Sequence, residues 1–155
     1  MFSFRVTISL FIFVFIFVSS SFAATFNFDE FNFSNSRIPN KVTVITQDKL
    51  GYLWLVTDLG LYKFDGFKSW VYRSEIDNNA SLSSNFISKL QFDNEGNLWV
   101  ATDQGLNKIN PVNDVITRYQ TTEKYNDSLI DNNIISIEID QQNNIWIATK
   151  KGLSK

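Results

Sequence analysis

One residue pattern returns three times along this chain, and that recurrence constrains the fold more than any other feature. Taking Asp48, Asp93 and Asp140 as origins, the spacings are 45 and 47 residues. Six residues on stand Trp54, Trp99 and Trp146, and nine on stand Thr57, Thr102 and Thr149. Gly60-Leu61, Gly105-Leu106 and Gly152-Leu153 follow, then Lys63, Lys108 and Lys155. Before each Asp lie Val42 and Ile45, Ile87 and Leu90, or Ile134 and Ile137.

Each column has a physical reading. Leu53–Val56, Leu98–Ala101 and Ile145–Ala148 are four-residue apolar runs with Trp second. A short strand apolar on both sides is one covered on both faces. "ISIEID" sets Ile135, Ile137 and Ile139 against Ser136 and Glu138, the alternation of a strand. Between these runs sit "DKLGY", "DNEGN" and "DQQNN". The Asp can accept backbone N–H bonds and start a turn. Three residues later comes Gly51, Gly96 or Asn143, the residue types that best tolerate positive φ. A second turn, Thr-x-x-Gly, uses Gly60, Gly105 and Gly152. Third strands ("LYKFD", "LNKIN") and fourth strands ("FKSWVYR", "VITRYQ") complete the unit.

Each period is therefore a four-stranded antiparallel meander, and two-sided burial requires the meanders to stack face to face. The predicted fold is all-β, a β-propeller. Residues 41–84 form blade 1, residues 85–132 blade 2, and residues 133–155 part of a third. Some two and a half blades is an incomplete propeller, since closure takes about four to eight, so a fragment, a truncated gene or a partial gene model is expected. Residues 24–40 precede blade 1. Within them "TFNFDEFNFS" (Thr25–Ser34) alternates Phe with polar residues and reads as a further strand.

The N-terminus reads as a targeting segment. Arg5 precedes the uncharged run Val6–Val18, and Ser21 and Ala23 are small residues at the −3 and −1 positions of a cut. Thirteen residues of helix cover about 20 Å, less than a hydrocarbon core of about 30 Å, so residues 1–23 are expected to be a cleaved signal peptide rather than an anchor. The chain has no Cys and no His. Disulfides, thiolate metal sites, Ser-His-Asp triads and histidine bases are thereby excluded. With a formal charge of −2 and no basic run, nucleic-acid binding is not expected.

These residues also carry a family resemblance. "IPNKVTVITQDKLGYLWLVTDLGLYKFDG" (Ile38–Gly66) resembles the opening repeat of the two-component regulator propellers. The matching elements are Asn40-Lys41-Val42, Gln47-Asp48, Gly51-Tyr52-Leu53-Trp54, Thr57, Gly60-Leu61 and Asp65-Gly66. Leu82–Asn110 and Leu129–Lys155 are similar to later repeats, with Asn143 in place of the usual Gly. The resemblance implies a periplasmic, non-enzymatic, ligand-sensing module of a bacterial inner-membrane receptor, whose output is a histidine kinase or a diguanylate cyclase. It further implies a small-molecule ligand, with oligosaccharides among the ligands sensed, and a homodimeric receptor. The alternatives are an enzyme or a non-functional gene fragment: "GNLWVATDQGLNKINPVNDVITRY" (Gly96–Tyr119) also resembles the streptogramin-lyase propellers, but their His is missing here.

No catalytic, metal or cofactor residue is assigned. The Trp column is expected to be inter-blade core rather than a sugar platform. One Asp per blade at a turn is expected to be structural, and "DNEG" lacks the ligand spacing of a calcium loop. The Lys column is expected at the solvated surface. Trp70, Tyr72 and Arg73 are expected to pack on an outer strand, and Tyr125 stands beside the polar "NDS". The polar loops Ser74–Ser84 and Thr121–Asn132 are expected to lie together on one face, the first place to look for a ligand.

Overall fold

In the computed structural model, Asn27, Ile38, Pro39, residues 41–121 and residues 128–155 are described. The expected signal peptide lies outside them, as do Tyr125 and the expected strand at 25–34, apart from Asn27. The described secondary structure is strand throughout. β1 (Val42–Gln47), β2 (Leu53–Thr57), β3 (Gly60–Phe64) and β4 (Ser69–Tyr72) form one antiparallel meander. β5 (Ile87–Phe92), β6 (Leu98–Thr102), β7 (Gly105–Ile109) and β8 (Ile116–Tyr119) form a second. β9 (Ile134–Ile139), β10 (Ile145–Thr149) and β11 (Gly152–Ser154) form a three-stranded third. These are the blades of a propeller, and β5 lies beside both β1 and β9.

The recurring Asp builds the first turn of each blade. Asp93 Oδ1 accepts Asn97 N at 2.8 Å, while Oδ2 accepts the indole Nε1 of Trp99 at 2.9 Å. Asp48 does the same with Tyr52 N and Trp54 Nε1, both at 3.0 Å. In the third blade Asp140 holds Asn144 N at 2.8 Å and Trp146 Nε1 at 2.9 Å. One carboxylate thus fixes both a turn and the rotamer of the Trp on the following strand. Asn143 stands at φ 64°, beside Gly51 at 91° and Gly96 at 88°, as the Gly/Asn column requires.

The second turn is a two-residue hairpin between β2 and β3, or β6 and β7. Thr102 Oγ1 donates to Gly105 O at 2.7 Å and accepts Gln104 N at 3.1 Å. Gly105 is demanded twice over: its φ is 128°, and a Cβ there would stand 2.7 Å from Tyr119 O. Gly60 meets the same constraint from Tyr72 O.

Alternate residues of the second strand face opposite neighbours. Trp54 and Val56 join Leu90, Leu98 and Val100 of the next blade in one core. On the other side Leu55 packs with Ile38, Tyr62 and Phe64. Trp99 and Ala101 in turn face Ile134, Ile137 and Ile147. Trp54 is 0% exposed and Trp99 7%, as expected of inter-blade core, whereas Trp146 is 36% exposed. The expectation of burial fails for Trp146 because, among the described residues, no sheet lies on that face.

Lys63 and Lys108 correct the surface expectation, while Lys155 is exposed. Lys63 is buried, its Nζ donating to Pro111 O of blade 2 at 2.8 Å and lying 5.4 Å from the centre of the Trp54 ring. Lys108 stands 5.3 Å from the Trp99 ring and 3.8 Å from Asp93 Oδ2. The long aliphatic stem reaches across the Trp, so the ammonium meets acceptors that sequence spacing does not display.

Candidate functional site

Two cavities compete as the site. The larger, of about 890 Å³, lies between the second and third sheets and is lined by Trp99, Tyr119, Leu129, Ile145, Ile147 and Lys155. In the first interface Ile109 and Ile116 belong to the core packed around Trp54. No counterparts of these two are among the described residues of the third blade.

The smaller cavity, of about 510 Å³, draws on all three blades. It sits where the first strands and the second turns begin, since Val42 pairs with Thr57 and Ile87 with Thr102. Lys41 and Asp58 come from blade 1, Phe86 and Asp103 from blade 2, and Asn133 and Ile135 from blade 3. Phe86 is 76% exposed and Ile135 55%. Asp103 is held by its backbone, N–H to Phe86 O at 3.2 Å. Its Oδ1 is buried and has no hydrogen-bond partner. The size suits a small ligand, and apolar walls with few polar groups are the usual makeup of such sites.

The long loop named from sequence contributes its end rather than its middle. Arg118 of β8 donates to Asn78 O, Ser81 O and Leu82 O at 2.7–2.8 Å, and Leu82 is fully buried. Residues 74–84 are therefore clamped, and the chain emerges from them at Asn85 and Phe86, on the cavity. Residues 122–127 of the second loop lie outside the described residues. Tyr72 stacks on Trp54 with ring centres 5.4 Å apart and donates its hydroxyl to Asp114 at 2.6 Å. Arg73 bonds Leu59 O and the Tyr62 hydroxyl, so both residues pack rather than bind. Trp70 meets Tyr52 edge-on at 6.1 Å.

Sequence reading missed the cavity residues, and no column pattern singled them out. Seven residues before each Asp stand Lys41, Phe86 and Asn133, and ten after stand Asp58, Asp103 and Lys150. These columns change chemical type between repeats, as do several columns away from the cavity.

Comparison with known proteins gives the repeat a family. Residues 81–104 and 128–151 match the family model for the two component regulator propeller. The chain carries two-component regulator propeller repeats. Among solved structures, it is similar to the extracellular domain assigned to the hybrid two component system BT3049 from B. thetaiotaomicron. That match has 31% identity over 78% of this chain and 17% of that one, with a TM-score of 0.69. The extracellular domain of BT4673, from the same organism, matches at 26% identity over 73% of this chain and 16% of that one, TM-score 0.59. No curated protein matches the propeller in sequence. The chain spans less than a fifth of these solved domains, whose covered shares are 17% and 16%. It is a propeller module of the sensor type that builds such extracellular domains.

Proposed function

We propose that this propeller is the ligand-sensing part of an exported bacterial signalling receptor. On this reading it acts in the periplasm, anchored to the inner membrane through the rest of the receptor, and signals from a homodimer. The module recognises rather than transforms its ligand, an oligosaccharide or similar small molecule. A propeller suits the task because rigid, stacked blades fix the geometry of a site made from several of them, and ligand binding there can shift the relative arrangement of the paired sensors. The observation that carries the reading is the 31% identity to the extracellular domain of a two component system, spread over 78% of the chain.

Thermal unfolding of the chain against a panel of oligosaccharides tests it. A ligand at a hundred times its Kd adds about 2.7 kcal/mol. For a domain of this size that raises Tm by about 5–11 °C. A panel that leaves Tm unmoved, or a sugar that is cleaved on incubation, overturns the proposal.

A further inference from the structure

We propose that residues 74–84 form a strap that lifts as a unit while the blades stay folded, and that Arg118 is the pin that keeps it shut. The proposal reaches beyond the sensor reading and does not depend on it.

The strap runs from the end of blade 1 to the start of blade 2, and its base is tied. Ser74 N donates to Asn85 Oδ1 at 2.8 Å, and Leu82 N donates to Arg73 O at 3.2 Å. Asn132 makes the first of these ties again in the next loop, accepting Thr121 N at 2.7 Å across the same eleven positions. A loop whose ends are held together is a compact body in its own right, and such bodies open locally at less cost than the whole domain. What holds this one down comes from blade 2. Arg118 Nε donates to Ser81 O at 2.7 Å. Its Nη2 donates to Asn78 O and Leu82 O, both at 2.8 Å, and to Ser81 Oγ at 2.7 Å. Among the described hydrogen bonds, Arg118 alone ties residues 74–82 to blade 2.

The two ends of the strap are held by different physics. Leu82 is fully buried in the core with Trp54, Leu90 and Leu98, and the buried Asn107 accepts Ser83 N at 2.9 Å. That end stays with the blades. Toward the middle, every acceptor of Arg118 is a neutral oxygen, so water can replace each bond as the strap rises and no ion pair has to be broken. The middle also carries strain: Asp77 stands at φ 60°, a conformation that persists in a non-glycine residue only where its surroundings hold it. The pin is particular to this seam. Arg118 and Asn107 face each other across β7 and β8, and Val71 and Tyr62 fill the corresponding places in blade 1.

Limited proteolysis of the full chain with a protease specific for Glu tests this, with the cuts located by mass spectrometry. Cleavage after Glu75 requires the strap to leave its folded path, so its rate follows the population of the lifted form. Cleavage after Glu95, in a turn of blade 2, is the internal control. Arg118→Ala should speed the cut after Glu75 by about tenfold or more, with tryptophan fluorescence unchanged and the cut after Glu95 no faster. Ser81→Ala removes one acceptor and leaves the pin in place, so it should speed the same cut by a smaller factor. Cutting after Glu75 in the unmodified chain as fast as in Arg118→Ala overturns the proposal. An equal rise at Glu95 overturns it too, because the blades would then be loosening together. If Arg118→Ala does not fold, Ser81→Ala decides: native fluorescence with an unchanged rate after Glu75 overturns the proposal.

Discussion

Asp93→Asn separates the role of the recurring carboxylate from that of the turn around it. The substitution keeps an oxygen able to accept Asn97 N, so the turn can persist. Its new amide faces Trp99 Nε1, two donors in the place of a donor and an acceptor. That indole is 7% exposed and its bond to Asp93 is 2.9 Å long. Losing a hydrogen bond to a charged group costs about 1.5–3 kcal/mol, and burial keeps water from replacing it. The Lys108 pair at 3.8 Å adds less than about 1 kcal/mol, since Lys108 is partly exposed. The total is therefore about 1.5–4 kcal/mol, or about 3–16 °C in Tm. Urea unfolding followed by tryptophan fluorescence measures it. Asp140→Asn provides the control: its Trp146 is 36% exposed, so water can take over, and the loss should be clearly smaller. A double-mutant cycle with Trp99→Phe should show coupling between positions 93 and 99. Equal losses at 93 and 140, or additive single effects at 93 and 99, would refute the reasoning.

Three further outcomes are expected. Gly105→Ala should cost about 1–3 kcal/mol from backbone strain alone, and more from the 2.7 Å approach to Tyr119 O. Gly96→Ala, whose added Cβ meets nothing within 4 Å, should cost less, and matched unfolding curves decide. Leu98→Ala should remove about 2–5 kcal/mol, because Leu98 is fully buried between blades 1 and 2. Asp140 is held down to about 2 by hydrogen bonds from Asn144 and Trp146. A lowered folded pKa stabilises above the unfolded value of about 3.9 and is lost as pH falls through the folded one. An NMR titration of the Asp140 side-chain carboxyl should therefore give a midpoint near pH 2; a midpoint near 4 would contradict the bonding.

Asp93 and Asp140 reach a similar end by different physics. For Asp93, burial by itself pushes the carboxyl upward, and the donors Asn97 and Trp99 with the Lys108 charge outweigh it, leaving it lowered. For Asp140 the hydrogen bonds come first and burial matters less. The repeat gives both the same bonding partners, while the neighbouring sheet sets how much water they see.

By itself the sequence determined the blades. Local rules suffice there: positive φ asks for Gly51, Gly96 and Asn143, four-residue apolar runs ask for burial on both faces, and Asp begins each turn. Period and residue type carry that information along the chain, so the meanders and the facing Trp positions were legible. Tertiary structure decided what the repeats do at their margins. Lys63 looks like a surface residue until Pro111, 48 positions on, is brought to its ammonium. Trp54 and Trp146 share one column, yet one is sealed and the other open, because burial depends on a neighbour and not on the residue. The cavity belongs to the same class of information. Lys41, Phe86 and Asn133 are each unremarked in their own repeat, and only stacking of the three sheets sets them around one space.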